Sequence, residues 1–371
     1  MFCAVQNRMD ASPARPFFSI VVPCCDVGPY VRQCIDSVAG QPFGDWEMLA
    51  VVEKSRDDTE QAVLEAAARD PRIRAFTGLP RSGSCSVPRN TGVEAARGDY
   101  VVFLDGDDTL APDALSRLAE RMRARPGADL YPCAVLERDE RSGGGAPRVL
   151  DNYPASFDGE LDGPGATLLA GTPTDRPHPM LQMTLFRRAF LVERGLRCIP
   201  GLRSQDNEFS PRALYLARRV APLHEPFYEY RVRAGSIQTG RRSPGEHLPD
   251  FAVVFRSLFA FHAAVSAGPD FDRRVSARWA GQWLTAVFRM WFGPERAAAV
   301  PRDVRRKSLA ALFADGFGPF DALLRHASRP RRIAGFFVRL FVRHPRLAPV
   351  ADFFFLRLYH PLCDARWHRK A

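Results

Sequence analysis

Apolar residues arrive in short bursts through the first hundred positions, and each burst is followed by a stretch with a helical repeat. Residues 18–23 (FSIVVP) read as a buried strand, because the run is short and rich in β-branched side chains. Residues 31–38 then place Val31, Ile35 and Val38 on one helical face. The alternation continues with a strand over 47–52 (EMLAVV), a helix over 59–68, a strand over 71–76, a helix over 86–96 and a strand over 100–104. Repeated β-α-β units imply an α/β fold with a mostly parallel sheet flanked by helices, its ligands gathered at the carboxyl ends of the strands.

The rhythm breaks over 139–165, where Gly, Pro and Asp predict a loop excursion. Structure is expected to resume over 180–191, with a helix over 208–217. From about 249 the pattern is helical, with Trp279, Trp283, Phe288 and Trp291 supplying a core. The expected organisation is an N-terminal tail (1–16), an α/β domain (17–245) and a helical C-terminal region (246–371). A length of 371 residues leaves room for both at roughly 150 residues per domain.

Charge changes the picture at the end of the chain. The formal net charge is +10, and from position 329 onward ten Arg or Lys stand against Asp352 and Asp364. The eight cysteines show no C-x-x-C pairing and no neighbouring His pairs, so neither a zinc site nor a disulfide framework is expected. Free thiols fit a reducing compartment. The N-terminus lacks a charged segment followed by an apolar core, and no run of about 18 apolar residues predicts a membrane span. A cytoplasmic protein is the expectation.

The chemistry concentrates in YVVFLDGDDTLAP (100–112), where a buried strand runs into Asp105, Asp107 and Asp108. Carboxylates so close raise one another's pKa unless a cation or proton relieves them, and such clusters mark functional sites. Three other segments accompany it in order: SIVVPCCDVGPYVRQCIDSVAGQ, VVEKSRDDT, and SQDNEFSPRALYLARRVAPLHEPFYEYRVRAGSI; the cluster itself closes PRNTGVEAARGDYVVFLDGDD. Together the four resemble the inverting family-two nucleotide-sugar glycosyltransferases of the GT-A fold. The resemblance covers roughly 17–240.

It implies a hexosyl-transfer reaction from a nucleoside-diphosphate sugar, a UDP-sugar first, to a glycan or lipid-linked acceptor, aided by Mn2+ or Mg2+. Asp105-Gly106-Asp107 matches the family's D-x-D, with Asp107 as the direct metal ligand and Asp105 touching ribose or metal. Asp108 is either a third member or the N-cap of a helix. Glu53 takes the place of an acidic residue that hydrogen-bonds base or ribose, or is a surface charge; the usual D-D-G-S is here V-E-K-S. Pro23 matches a turn after the first strand, and Cys24-Cys25-Asp26 replaces the usual aromatic–Asn, leaving Asp26 as an acceptor toward the nucleotide. Arg89 and Asn90 match the start of a helix near the nucleotide, or simply cap it. Asp206 matches the catalytic base of E-D-x-x-F, its bland alternative being an N-cap, and Gln205 stands where the first acid would be. Arg231, Arg233 and Ser236 match a stretch near the diphosphate or acceptor. His178 and His224 read as structural.

Two other readings stay open. FLDGDDTL is similar to the D-x-D-x-T loop of haloacid-dehalogenase-like phosphatases, but Thr109 comes one place late and three strands precede it. A non-catalytic subunit that binds sugar nucleotide is the other. Within 331–362, Ile333, Phe336, Phe337, Leu340 and Phe341 share a helical face beside Arg332, Arg339 and Arg343, the pattern either of a helix lying on the anionic inner face of a membrane or of one packed on its neighbours. No nucleic-acid motif accompanies the charge.

Overall fold

The computed structural model describes residues 15–141, 146–154, 156–170, 181–233, 245–269 and 271–360. The chain divides into two compact units, Met1–Gly240 and Arg241–Ala371.

In the first unit the strands are β1 (Phe18–Cys24), β2 (Trp46–Glu53), β3 (Ile73–Leu79), β4 (Tyr100–Phe103), β5 (Thr109–Leu110), β6 (Leu130–Pro132), β7 (Ala134–Asp139), β8 (Arg148–Leu150), β9 (Thr184–Arg187) and β10 (Pro226–Val232). The helices are α1 (Gly28–Ala39), α2 (Thr59–Arg69), α3 (Ser86–Ala95), α4 (Ala114–Ala124), α5 (Gly163–Leu169), α6 (Arg188–Glu193) and α7 (Gln205–Leu216). A six-stranded sheet has the order β3-β2-β1-β4-β9-β6. β1 pairs in parallel with β2 (Phe18↔Trp46) and with β4 (Phe18↔Tyr100), while β9 runs antiparallel to both β4 and β6. Every residue of β1, β2 and β4 is buried, because helices cover both faces of such a sheet; hence the uninterrupted apolar runs. The order reverses between β1 and β4, so a crevice is expected outside their carboxyl ends.

Pro23 corrects the sequence expectation of a turn: it lies inside β1, opposite Val51. Its missing N–H is tolerated there because the ladder to β4 ends at Val21↔Phe103. Gly92 lets α3 lie close on β1, since a Cβ would stand 2.2 Å from Val21 Cγ1. The excursion expected over 139–165 is only partly irregular, as it contains β8 and the start of α5. A second sheet, β5-β10-β7-β8, was not foreseen. In it β10 runs antiparallel to β5 and parallel to β7, which brings β10 beside the loop that follows β4.

The second unit is helical: α8 (Leu248–Val265), α9 (Arg273–Phe292), α10 (Pro294–Ala299), α11 (Arg302–Leu312), α12 (Gly318–Leu324), α13 (Arg329–Arg343) and α14 (Ala348–Phe354). Trp279, Trp283, Phe288 and Trp291 are buried in its core, with Trp279 and Trp283 stacked at 4.7 Å. Phe292 packs between Phe341 and Phe355. Buried Arg305 is held by Asp352 at 2.9 Å and by the Trp291 carbonyl at 2.7 Å, so the interior charge is paired. Among the described residues α8 alone has the length and composition of a membrane span. It carries Asp250 and Arg256, and its Leu248, Val254, Phe255, Leu258 and Phe259 are buried in the unit.

Candidate functional site

The Asp105–Asp108 loop leaves β4 at the point where the sheet order reverses. Gly106 passes so close to β1 that a Cβ would lie 3.1 Å from the Pro23 carbonyl oxygen and from Val27. The three carboxylates are held in three different ways. Asp105 accepts from the guanidinium of buried Arg89 at 2.5 Å and from the amide of Gln182 at 2.7 Å. Asp107 Oδ2 accepts from Arg233 Nε and Nη2 at 3.0 and 2.8 Å. Asp108 is buried, accepting from the Tyr228 hydroxyl at 2.5 Å and the Arg231 backbone N–H at 2.7 Å.

Asp108 therefore corrects one expectation. It caps no helix, because β5 follows it and α4 begins only at Ala114; it ties β10 to the carboxylate loop instead. Burial, then the charge of Asp105, pushes the Asp107 carboxyl up in spite of Arg233. Burial, then Asp107 and Asp105, pushes Asp108 well above the usual carboxylate range. The crowding seen in the sequence persists in space.

At the end of β2, Glu53 is buried and accepts from the Ser82 hydroxyl at 2.5 Å and the Ser82 N–H at 3.2 Å. It is no surface charge; it fixes the loop after β3. Asp26 adopts a left-handed backbone (φ 51°) just past β1. It accepts from the Arg56 N–H at 2.8 Å, from the Arg56 guanidinium and from Arg81. These bonds, Arg56's N–H first, hold its carboxyl well below the usual range. Asn90 spends both ends of its amide on the Cys198 backbone, at 2.8 and 2.9 Å. These bonds make it a brace between α3 and the segment before α7.

α7 begins at Gln205, so Asp206 lies in its first turn rather than at the cap, which is Ser204. Burial pushes the Asp206 carboxyl up; Arg89 pulls it back and Asp105 raises it further. Asp206 thus feels the same charges as the carboxylate loop. Gln205 is buried and its Oε1 finds no hydrogen-bond partner among the described residues, and the same holds for Gln182 Oε1. Unmade bonds of this kind cost about 1–3 kcal/mol each and suit a hydroxyl-rich ligand.

The Arg231 and Arg233 guanidiniums lie 5.0 and 4.6 Å from the Tyr30 ring centre. Arg231 also bonds Gln33 at 2.8 Å. Ser236 and His178 fall outside the described residues. His224 bridges Asp151 and the Phe157 carbonyl, both at 2.6 Å, a structural role. Tyr228, Gln182, Tyr30 and Ser82 escaped the sequence reading. Tyr228 and Tyr30 lie inside the quoted segments, but nothing in residue type separates a buried clasp from a core aromatic.

No cluster of three or more His, Cys, Asp or Glu side chains suited to a metal occurs among the described residues. The donor chemistry nevertheless fits a hard divalent cation. Such a cation takes oxygen ligands and needs only one or two protein carboxylates, and Asp105 and Asp107 are paired here with guanidinium cations.

The glycosyl transferase family 2 model matches residues 19–193. Succinoglycan biosynthesis protein ExoO of Rhizobium meliloti is 30% identical over 349 residues, 90% of this chain and 92% of that protein. EpsJ of Bacillus subtilis, described as an uncharacterized glycosyltransferase, is 29% identical over 236 residues, 63% of this chain and 67% of its own length. Among solved structures, S. aureus TarS 1–349 in complex with UDP-GlcNAc is similar with a TM-score of 0.69 at 18% identity, covering 92% of this chain and 91% of that one. That likeness is one of fold.

Proposed function

The chain belongs to glycosyl transferase family 2, and on that premise we propose that it transfers a hexosyl group from a nucleoside-diphosphate sugar, a UDP-sugar first, to a hydroxyl of a cell-surface glycan or lipid-linked saccharide, with inversion, at the cytoplasmic face of the membrane. The observation that carries the reading is the carboxylate loop at the reversal of the sheet order, with Asp206 in the field of the same Arg89 and Asp105.

Asp107, seconded by Asp105, would hold Mn2+ or Mg2+, which neutralises charge developing on the diphosphate leaving group. Asp105 is the fixed member, since Arg89 and Gln182 hold its two oxygens. Glu53, through the loop it anchors, and Asp26, through Arg56 and Arg81, shape the nucleoside end. Arg231 and Arg233 supply charge-assisted donors toward the diphosphate. Asp206 takes the proton from the attacking hydroxyl, and its raised pKa strengthens it as a base. Gln205 and Gln182 offer carbonyl oxygens to sugar hydroxyls.

The test is calorimetric titration of UDP, GDP, CDP and dTDP, each with Mn2+ and again with EDTA. Tight binding of one nucleotide, lost with EDTA and in Asp107→Ala, supports the metal–diphosphate site and identifies the donor class. Absence of binding to all four with metal present overturns the reading.

A further inference from the structure

Helix α13 was expected to show one apolar face, directed either to its neighbours or to a membrane. It has two. Ala334, Gly335, Val338 and Phe341 are the residues it buries in the second unit, and a Cβ on Gly335 would lie 2.6 Å from Leu324. Phe341 thus turns inward, whereas Ile333 and Phe336 stay in solvent. α14 and the turn after it repeat the arrangement: Ala348, Ala351, Phe355 and Tyr359 are buried, while Leu347, Val350, Phe353 and Leu358 face out. These six outward side chains are each between 45% and 60% exposed, and they are six of the ten large exposed apolar residues among those described. Phe337 stacks on Phe354 at 3.9 Å and touches Phe336 at 5.4 Å, so the two helices present one continuous apolar surface.

Its exposed charge is predominantly basic. Arg329, Arg332, Arg343, Arg346 and Arg357 are exposed. The sole acid between 329 and 360, Asp352, is buried under Arg302 and Arg305. A contiguous exposed apolar surface marks a binding face, and an arginine-rich rim, in which Asp321 of α12 offsets Arg339 alone, is complementary to anionic lipid headgroups with acyl chains beneath them.

We propose that α13, α14 and the turn to Tyr359 form a docking surface for an anionic bilayer, with Phe336 and Phe353 entering the headgroup–acyl boundary. The inference rests on the membrane-face placement proposed above and gives that placement its residues.

The test is flotation of the full chain with phosphatidylcholine vesicles, with and without phosphatidylglycerol. Binding is expected only with phosphatidylglycerol, weakened by high salt and abolished in Phe336→Glu/Phe353→Glu. Arg332→Gln/Arg346→Gln, which leaves every buried contact in place, should weaken it roughly 25-fold, at about fivefold per arginine. Absence of binding to anionic vesicles, or binding indifferent to these variants, overturns the proposal. So does a dimer that the Phe variants dissociate, which would mean that a second copy covers the face. Titration of the same samples with UDP, GDP, CDP and dTDP in the presence of Mn2+ separates the two readings: nucleotide binding without vesicle binding removes only this surface, and vesicle binding with none of the four nucleotides bound removes only the transferase site.

Discussion

Replacing Arg89 by Met asks whether the carboxylate loop is assembled around a buried ion pair. Arg89 is 3% exposed and its partner Asp105 is 21% exposed, 2.5 Å apart. Without the guanidinium, the Asp105 carboxylate keeps only the Gln182 amide and stands beside Asp107 and Asp108. Among the described residues, the one guanidinium left in contact with the loop carboxylates, that of Arg233, is already bound to Asp107. Breaking a buried pair from one side costs about 3–5 kcal/mol, and the residual exposure of Asp105 places the expected value at about 4 kcal/mol. Asp105→Asn acts differently. It strands Arg89, but it also relieves Asp107 and Asp108 of a like charge, so the expected cost is only about 2 kcal/mol by the same range less that relief. With both charges removed, R89M/D105N should cost about 3 kcal/mol, below the sum of the single changes by a coupling of about 3 kcal/mol. Urea denaturation read by hydrogen exchange at the β1 and β4 amides follows the first unit by itself. Equal single costs that simply add, or an R89M cost under about 1 kcal/mol, would refute the pair as the organiser of the loop.

Asp206→Asn keeps the size of the side chain and removes its basicity, so turnover should fall by about 10²–10⁴ while calorimetric UDP affinity stays within about twofold; an equal loss in both would make Asp206 a structural residue. Gly92→Ala should destabilise by about 1–3 kcal/mol in urea, because its Cβ would meet Val21 Cγ1 at 2.2 Å, and should disturb the Arg89 that α3 carries. Phe341→Ala removes a fully buried ring packed on Phe292 and should cost about 3–5 kcal/mol, whereas Phe336→Ala should cost under 1 kcal/mol by roughly the surface range. His262, buried against Ser276, is pulled down from 6.5 to about 4, chiefly by burial and then by His326 and Arg325. The unfolded chain therefore takes up the proton first: stability is full above pH 6.5 and declines as pH falls toward 4, by about 3 kcal/mol at 1.36 kcal/mol per pH unit. Urea midpoints at pH 7.5 and 5 should show the decline, and His262→Gln should flatten it.

The parallel core was legible because β1, β2 and β4 are buried on both faces, and a strand of that kind announces itself as an unbroken apolar run. The carboxylates were legible for the opposite reason: Asp105, Asp107 and Asp108 break such a run abruptly, and the ends of parallel strands are where ligands collect. The second sheet left no such mark. β5 is two residues long and β10 joins β7 across roughly ninety residues of chain, so its pairing exists only as tertiary structure. For the same reason Asp108 looked like a helix cap, and Gln182 and Tyr228 like ordinary positions, until the fold brought Tyr228 and the Arg231 N–H to one carboxylate and Gln182 to another.

The tail shows a different limit of periodicity. A helical projection sums apolar character, and by that measure Ile333, Phe336, Phe337, Leu340 and Phe341 form one face that either packs or meets a membrane as a whole. Close approach is set by size as well. Gly335 allows α13 to sit against Leu324, with Ala334, Val338 and Phe341 buried on the same side, while Ile333 and Phe336 remain at the rim in solvent. The same division recurs in Ala348 and Ala351 against Leu347, Val350 and Phe353. Small residues set the close approach, Val338, Phe341, Phe355 and Tyr359 fill the interior beside them, and Ile333, Phe336, Val350 and Phe353 are left outside with exposed arginines among them; two consecutive helices with this partition expose a surface that the packing of the unit does not require.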